Sequence, residues 1–163
     1  MELRRLKKSD YKTLAEQANN PKIAENLTDM FPHPYTEEDA KKFLEESADN
    51  SEYRAITYEN KFAGVISATK GGKNEEHEAG LGYWLGEEFW GKGIMTKAVS
   101  EFVDEYLKEN PDIIRLQAKV YPHNLGSARV LEKTGFKYEG TRRTGTKQRG
   151  RYLDELVYSY IRN

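Results

Sequence analysis

Gly82-Tyr83-Trp84-Leu85-Gly86-Glu87-Glu88-Phe89-Trp90-Gly91-Lys92-Gly93-Ile94-Met95-Thr96 is the stretch on which the fold turns. It reads as a strand end, a short turn, and a glycine-containing loop that opens directly into a helix. That helix is the clearest in the chain. From Ile94 to Lys108 the apolar residues fall at 94, 95, 98, 99, 102, 103, 106 and 107, a broad face at helical period, and Asn110-Pro111 stops it. N–H groups at a helix start lack intrahelical partners, and the helix dipole adds positive potential there. The glycines let a ligand approach the backbone closely. The arrangement suits an anion, a pyrophosphate above all.

The flanking sequence fills in around this unit. Before it, Glu2 to Leu6 predicts a strand, Ser9 an N-cap, and Tyr11, Leu14, Ala15 and Ala18 a helical stripe ended at Asn19-Asn20-Pro21. A shorter segment leads to Phe31-Pro32-His33-Pro34-Tyr35, an extended loop held by two prolines. Thr36 with Glu37, Glu38 and Asp39 starts a helix whose buried side is Ala40, Phe43 and Leu44. Strands are predicted at 53–58 and 62–69 around a Glu59-Asn60 turn, and at about 77–85 after Gly71-Gly72-Lys73-Asn74. After the long helix come a strand through Ile114, Leu116, Ala118 and Val120, then a helix capped by Asn124 and closed by Gly135. Strands at 136–139 and 152–161, joined by a long basic loop, complete the chain. The order predicts an α+β or mixed α/β fold with a largely antiparallel sheet and one strand–helix–strand crossover near 77–120.

Composition limits the function. The 163 residues suit one domain, 1–163, with 37% hydrophobic and 33% charged residues and a net charge of −1. That charge gives no whole-protein pull toward nucleic acid or membrane, so neither is expected as a partner. From Arg115 to Arg151, however, ten Lys/Arg stand against two Glu. The absence of Cys excludes disulfides, thiolate metal sites and a cysteine acyl-enzyme. His33, His77 and His123 lack ligand spacing, so no metal is expected. No leader or membrane span is evident, and a cytoplasmic protein is expected.

Two nucleotide fingerprints fail at the loop. Thr96 stands where a Rossmann third glycine belongs, and no Lys-Ser or Lys-Thr follows a glycine as in phosphate-loop ATPases. Trp90-Gly91-Lys92-Gly93-Ile94-Met95-Thr96 instead resembles the acetyl-CoA loop of GNAT N-acetyltransferases, in the form typical of the RimJ/RimL branch; Met95 replaces a small residue. Asn124-Leu125-Gly126-Ser127-Ala128-Arg129-Val130-Leu131-Glu132-Lys133-Thr134-Gly135-Phe136 resembles the family's second cofactor motif. Phe31 to Ala40, and Gly140 with Tyr152 to Tyr158, resemble the same branch. The resemblance implies a GNAT-like fold, a largely antiparallel central sheet of about seven strands with helices on both faces. It implies acetyl-CoA as co-substrate and direct acetyl transfer to an amine, either a peptide N-terminus or a small amine. A homodimer is compatible with the branch.

The resemblance also assigns roles. Tyr83, Trp84 and Leu85 would line the pantetheine and hold the acetyl carbonyl, an oxyanion contact of ~3 kcal/mol per donor. Trp90, Gly91, Lys92, Gly93, Ile94, Met95 and Thr96 would hold the diphosphate. Asn124 would lie beside the cofactor and Ser127 beside its sulfur, although Asn is also a favoured N-cap and Ser common in a first turn. Many GNAT enzymes carry a Tyr acid seven residues after this Asn; Leu131 occupies the position, leaving Ser127 as the natural substitute. The branch's Glu in Ala-Glu-Ile-Gly-Tyr is Gly80 here, so Glu78, two residues earlier on the same face, is the candidate base. Phe31, Tyr35 and Arg142 are the candidate acceptor contacts. A non-catalytic acyl-CoA-binding module is the alternative.

Overall fold

The computed structural model describes residues 1–162. Its elements are β1 (Glu2–Arg4), α1 (Tyr11–Ala18), α2 (Pro21–Ala24), α3 (Glu37–Ser47), β2 (Tyr53–Tyr58), β3 (Lys61–Lys70), β4 (Glu78–Leu85), α4 (Ile94–Glu109), β5 (Arg115–Val120), α5 (Leu125–Lys133), β6 (Lys137–Gln148) and β7 (Arg151–Ile161). The seven strands are ordered β1-β2-β3-β4-β5-β7-β6. β1–β2, β2–β3, β5–β7 and β6–β7 pair antiparallel, whereas β4–β5 is parallel, as the crossover through α4 requires. Every predicted apolar position of α4 is buried, Ile94 through Leu107. No helix among the described residues is long and apolar enough to cross a membrane.

One compact unit comprises residues 1–67 and 83–98. Its core joins Leu14, Ala15 and Ala18 of α1 to Ala40 and Leu44 of α3 and to Ala55, Phe62 and Val65 of β2 and β3. A bulge makes this possible: Ile56 faces Gly64 and Thr57 faces Phe62, which leaves Ala63 as the extra residue. Ile66, on the opposite face from Val65, is fully buried, so both faces of β3 are covered. α3 begins as expected, Thr36 Oγ1 accepting from Asp39 N–H while Asp39 accepts from Thr36 N–H. Ser9 does not cap α1. It lies in a 3-10 turn, and Asp10 takes the cap position. The Asp10 carboxylate binds both the Arg4 guanidinium, at 2.8 and 2.9 Å, and Lys7 N–H, which one serine hydroxyl could not do.

The second unit comprises residues 68–82 and 99–162. Here the structure corrects the expected long basic loop between the last strands. Residues 140–148 are strand, and Arg149-Gly150, at φ 46° and 81°, makes a two-residue turn into β7. The strand escapes sequence reading because β6 ends the sheet order and is exposed on most of its length, so no apolar alternation marks it. A register shift between Arg142 and Thr146 further breaks any period. Arg162 closes α4 by donating to the carbonyls of Leu107, Asn110, Pro111 and Ile113, a cation at the negative helix end. Amide hydrogen exchange distinguishes strand from loop: amides of β6 that pair with β7 are expected to exchange far more slowly than those of Gly72–Asn74 in the turn before β4. Equal, rapid exchange would mean the hairpin is not formed.

Candidate active site

The donor loop lies in the first unit. β4 ends at Leu85, a 3-10 turn spans Glu87–Phe89, and α4 starts at Ile94. The first backbone bond of the helix is Lys97 N–H to Gly93 O at 3.2 Å. Among the described residues no acceptor meets the N–H groups of Gly91, Lys92, Gly93, Ile94, Met95 or Thr96. Gly91 and Gly93 adopt φ of 73° and 72°, the left-handed region that an L side chain enters at a cost of about 1–2 kcal/mol. A Cβ at either would meet nothing within 4 Å, so the backbone faces open space. Consecutive donors at an exposed helix start form a nest for an anion. The residues present therefore fit a diphosphate.

Side chains brace this loop from outside. Trp90 Nε1 donates to Leu85 O at 2.7 Å, closing the turn across its base. Lys92 Nζ lies 5.8 and 5.7 Å from the ring centres of Tyr58 and Phe89, pinned by cation–π attraction. Ile94 and Met95 are buried, so Met95 points into the core and does not crowd the donors. Thr96 is half-buried in the first helical turn.

The aromatic candidates of this unit meet one another. Phe31 lies 4.8 Å from Tyr35 and 5.8 Å, edge-on, from Trp84. Tyr35 is buried in the core, and burial, aided by Asp39, pushes its phenol up to about 12. It therefore stays neutral at physiological pH and packs. Phe31 and Trp84 are half-buried. Phe62 also contacts Trp84, and Gly64 is required beneath it, since a Cβ there would stand 2.2 Å from Trp84 O.

In the second unit Asn124 caps α5, its Oδ1 accepting from Ser127 N–H at 3.2 Å. Both side chains are half-buried on the first turn. Leu131 is fully buried, a core residue. Glu78 pairs with Arg115 on the first rung of the β4–β5 ladder, and Arg115 Nε donates to its carboxylate at 3.0 Å. The two other Arg115 nitrogens grip Glu139 at 2.8 and 2.6 Å, and Ser159 donates to Glu139 as well. The ladder ends at Gly80↔Gln117, so Leu81–Leu85 lie past its last rung. Arg142 binds the buried carboxylate of Glu155 at 2.6 Å. Among the described residues no three His, Asp or Glu gather as metal ligands.

The acetyltransferase (GNAT) domain family matches residues 1–137. The chain belongs to the GNAT family. The probable N-acetyltransferase YjcK of Bacillus subtilis is 38% identical over 103 residues, 63% of this chain and 56% of that protein. The [Ribosomal protein uS5]-alanine N-acetyltransferase of Escherichia coli is 28% identical over 99 residues, 61% of this chain and 50% of that protein. These alignments span about half the length of either relative. The GNAT fold itself is matched over nearly the whole chain: RimL, a ribosomal L7/L12 alpha-N-protein acetyltransferase solved with coenzyme A, superposes with TM-score 0.87 at 26% identity, over 98% of this chain and 93% of that one.

Some of the contacts around these candidate residues, in either unit, carry no motif. Asn20, Lys22 and Gln17 reach Glu87 and Glu88 of the turn, and Arg115 joins Glu78 to Glu139. Only opposite charges at positions far apart in sequence could have hinted at them. The Arg115 pair has a measurable consequence. Its guanidinium, with Ser159, holds the Glu139 carboxyl down at about 2, against an ordinary 4.5. A carboxylate with lowered folded pKa stabilises above its unfolded value and loses that contribution as pH falls. Urea midpoints of the native protein should thus drop between pH 4.5 and about 2. In Glu139→Gln that part of the slope should flatten; an unchanged slope would show the pair to be unformed in solution.

Proposed function

We propose that the protein moves the acetyl group of acetyl-CoA directly to a primary amine, preferentially a protein or peptide N-terminal α-amine. The run of N–H donors from Gly91 to Thr96, without acceptors among the described residues, carries this reading, because consecutive donors at a helix start suit a diphosphate. Coenzyme A would bring its acetyl group as a reactive thioester, so positioning beside a neutral amine supplies much of the rate. Tyr83, Trp84 and Leu85 would line the pantetheine arm, with Trp90 and Lys92 holding the loop in shape. Asn124 would set the first turn of α5, from which Ser127 would donate a proton to the departing thiolate. Arg142 and the Phe31–Tyr35 segment would meet the acceptor. Relatives named for acetylating ribosomal proteins support the peptide class and accord with a cytoplasmic site of action.

An N-terminal amine has a pKa near 8 and needs little help to lose its proton. Water suffices in this account. The ion pair favours Glu78 as an anchor of the strand start rather than as a base: it precedes Tyr83 by five residues of strand, ~16 Å at about 3.3 Å per residue. Leu131 and Gly80, at positions where the family resemblance implies a Tyr in many GNAT enzymes and a Glu in the RimJ/RimL branch, favour one other reading, an acyl-CoA-binding module without turnover. Tight acetyl-CoA binding with no acetylation across N-terminal peptides, polyamines and small amines would establish that alternative.

Two substitutions probe acetyl transfer at this loop. Gly93→Glu should abolish acetyl-CoA binding in calorimetry, while Gly93→Ala, which carries only the backbone strain of ~1 kcal/mol, should retain it. Retained binding in Gly93→Glu would remove the loop from the site. Ser127→Ala should slow turnover by about 10²-fold, the scale of general acid catalysis, with acetyl-CoA affinity nearly unchanged. Full turnover would leave Ser127 a helix residue only.

A further inference from the structure

The junction between α1 and α2 gathers polar contacts out of proportion to its size. Asn20 Oδ1 accepts from Lys22 N–H at 2.9 Å to cap α2, and its Nδ2 donates to Glu87 Oε2 at 2.7 Å. Lys22 Nζ binds the other Glu87 oxygen. Together they lower the Glu87 carboxyl from its ordinary range, Lys22 contributing most. One turn earlier, Gln17 Nε2 binds Glu88, lying so close over Gly86 that a Cβ there would stand 2.1 Å from Gln17 Oε1. On the other side the junction holds both ends of the segment bearing Phe31. Asn26 Nδ2 donates to Lys22 O at 2.9 Å, and Tyr35 N–H donates to Asn19 Oδ1 at 3.0 Å.

Stability does not explain this convergence. Lys22 and Glu87 side chains are 61% and 40% exposed, and ion pairs so exposed contribute little to folding. The four-residue α2 cannot sustain itself as a helix. What the contacts do fix is where two loops stand: the turn that leads into the Gly91–Thr96 donors, and the segment that seats Phe31 on Trp84.

Resting on the donor-site reading above, we infer that Asn19, Asn20 and Lys22 are positioning residues that lock the acetyl-donor loop and the aromatic acceptor loop to one another through Glu87. Both substrates are then placed by one polar clasp, so an acceptor peptide and coenzyme A are each bound to a surface the other helps to order. None of the three touches the reacting atoms. Their effect on the reaction passes through Glu87 on one side and the Asn26 and Tyr35 contacts on the other.

The protein's two tryptophans, Trp84 and Trp90, sit in the segments at issue and report on them directly. Lys22→Ala, Glu87→Ala and the double variant would be compared with wild type by calorimetry with acetyl-CoA, by acrylamide quenching of tryptophan emission, and by thermal melting. Each single variant should weaken acetyl-CoA binding roughly two- to fivefold and raise quenching, and the double variant should be no worse than Glu87→Ala alone, the signature of a shared contact. Melting temperatures should stay within about 2 °C, as expected for an exposed pair. Unchanged affinity and quenching in all variants would overturn the clasp, as would additive losses. Wild type that fails to bind acetyl-CoA would refute the donor site instead, and the quenching comparison would still judge the clasp.

Discussion

In the proposed function the chemistry depends on a backbone left unfinished. From Gly91 to Thr96 the chain presents N–H groups in succession with no acceptor among the described residues, and the helix that follows directs its dipole at the same place. Such a shape is costly to hold. Two glycines must occupy the left-handed region, and the first turn of α4 must be anchored through Ile94 and Met95 without help from its own terminus. The surrounding structure supplies the restraint: the Trp90 indole on Leu85 O, Lys92 against two rings, and the bond from Gly86 N–H to Ala63 O at 2.8 Å. A site of this kind binds by what the fold leaves open.

That dependence explains what was legible in the sequence. The α4 face showed itself because eight apolar positions recur at helical period and all are buried. The loop showed itself because positive φ demands glycine, and glycine leaves a mark at fixed spacing. The Asn124 cap and the Glu59-Asn60 turn, at φ 49° and 63°, were readable for the same local reasons. Residues 140–148 of β6 were not, since an exposed edge strand with a register shift carries no apolar code. Nor were the Asn20–Glu87 and Arg115–Glu139 contacts, which join positions 67 and 24 residues apart without any periodic trace.

The departures from the family pattern acquire physical meaning in the fold. Met95 is accommodated because its side chain turns inward. Leu131 is fully buried and serves packing in this chain. Gly80 is different: it is exposed, and a Cβ there would meet only Thr69 O at 3.9 Å, so the position has room for the side chain it lacks. On the proposed reading Ser127 supplies the proton to the thiolate, and a chain without a strand carboxylate as base suits an acceptor that deprotonates readily, as an N-terminal α-amine does.

The most direct measurement is a backbone-amide NMR titration with coenzyme A that lacks an acetyl group, so that binding is read without turnover. Saturable shifts are expected, concentrated at the amides of Gly91 through Thr96, since hydrogen bonds to phosphate would replace exposure to water there. Amides of that segment unmoved at saturation, with the shifts gathered elsewhere in the chain, would contradict it.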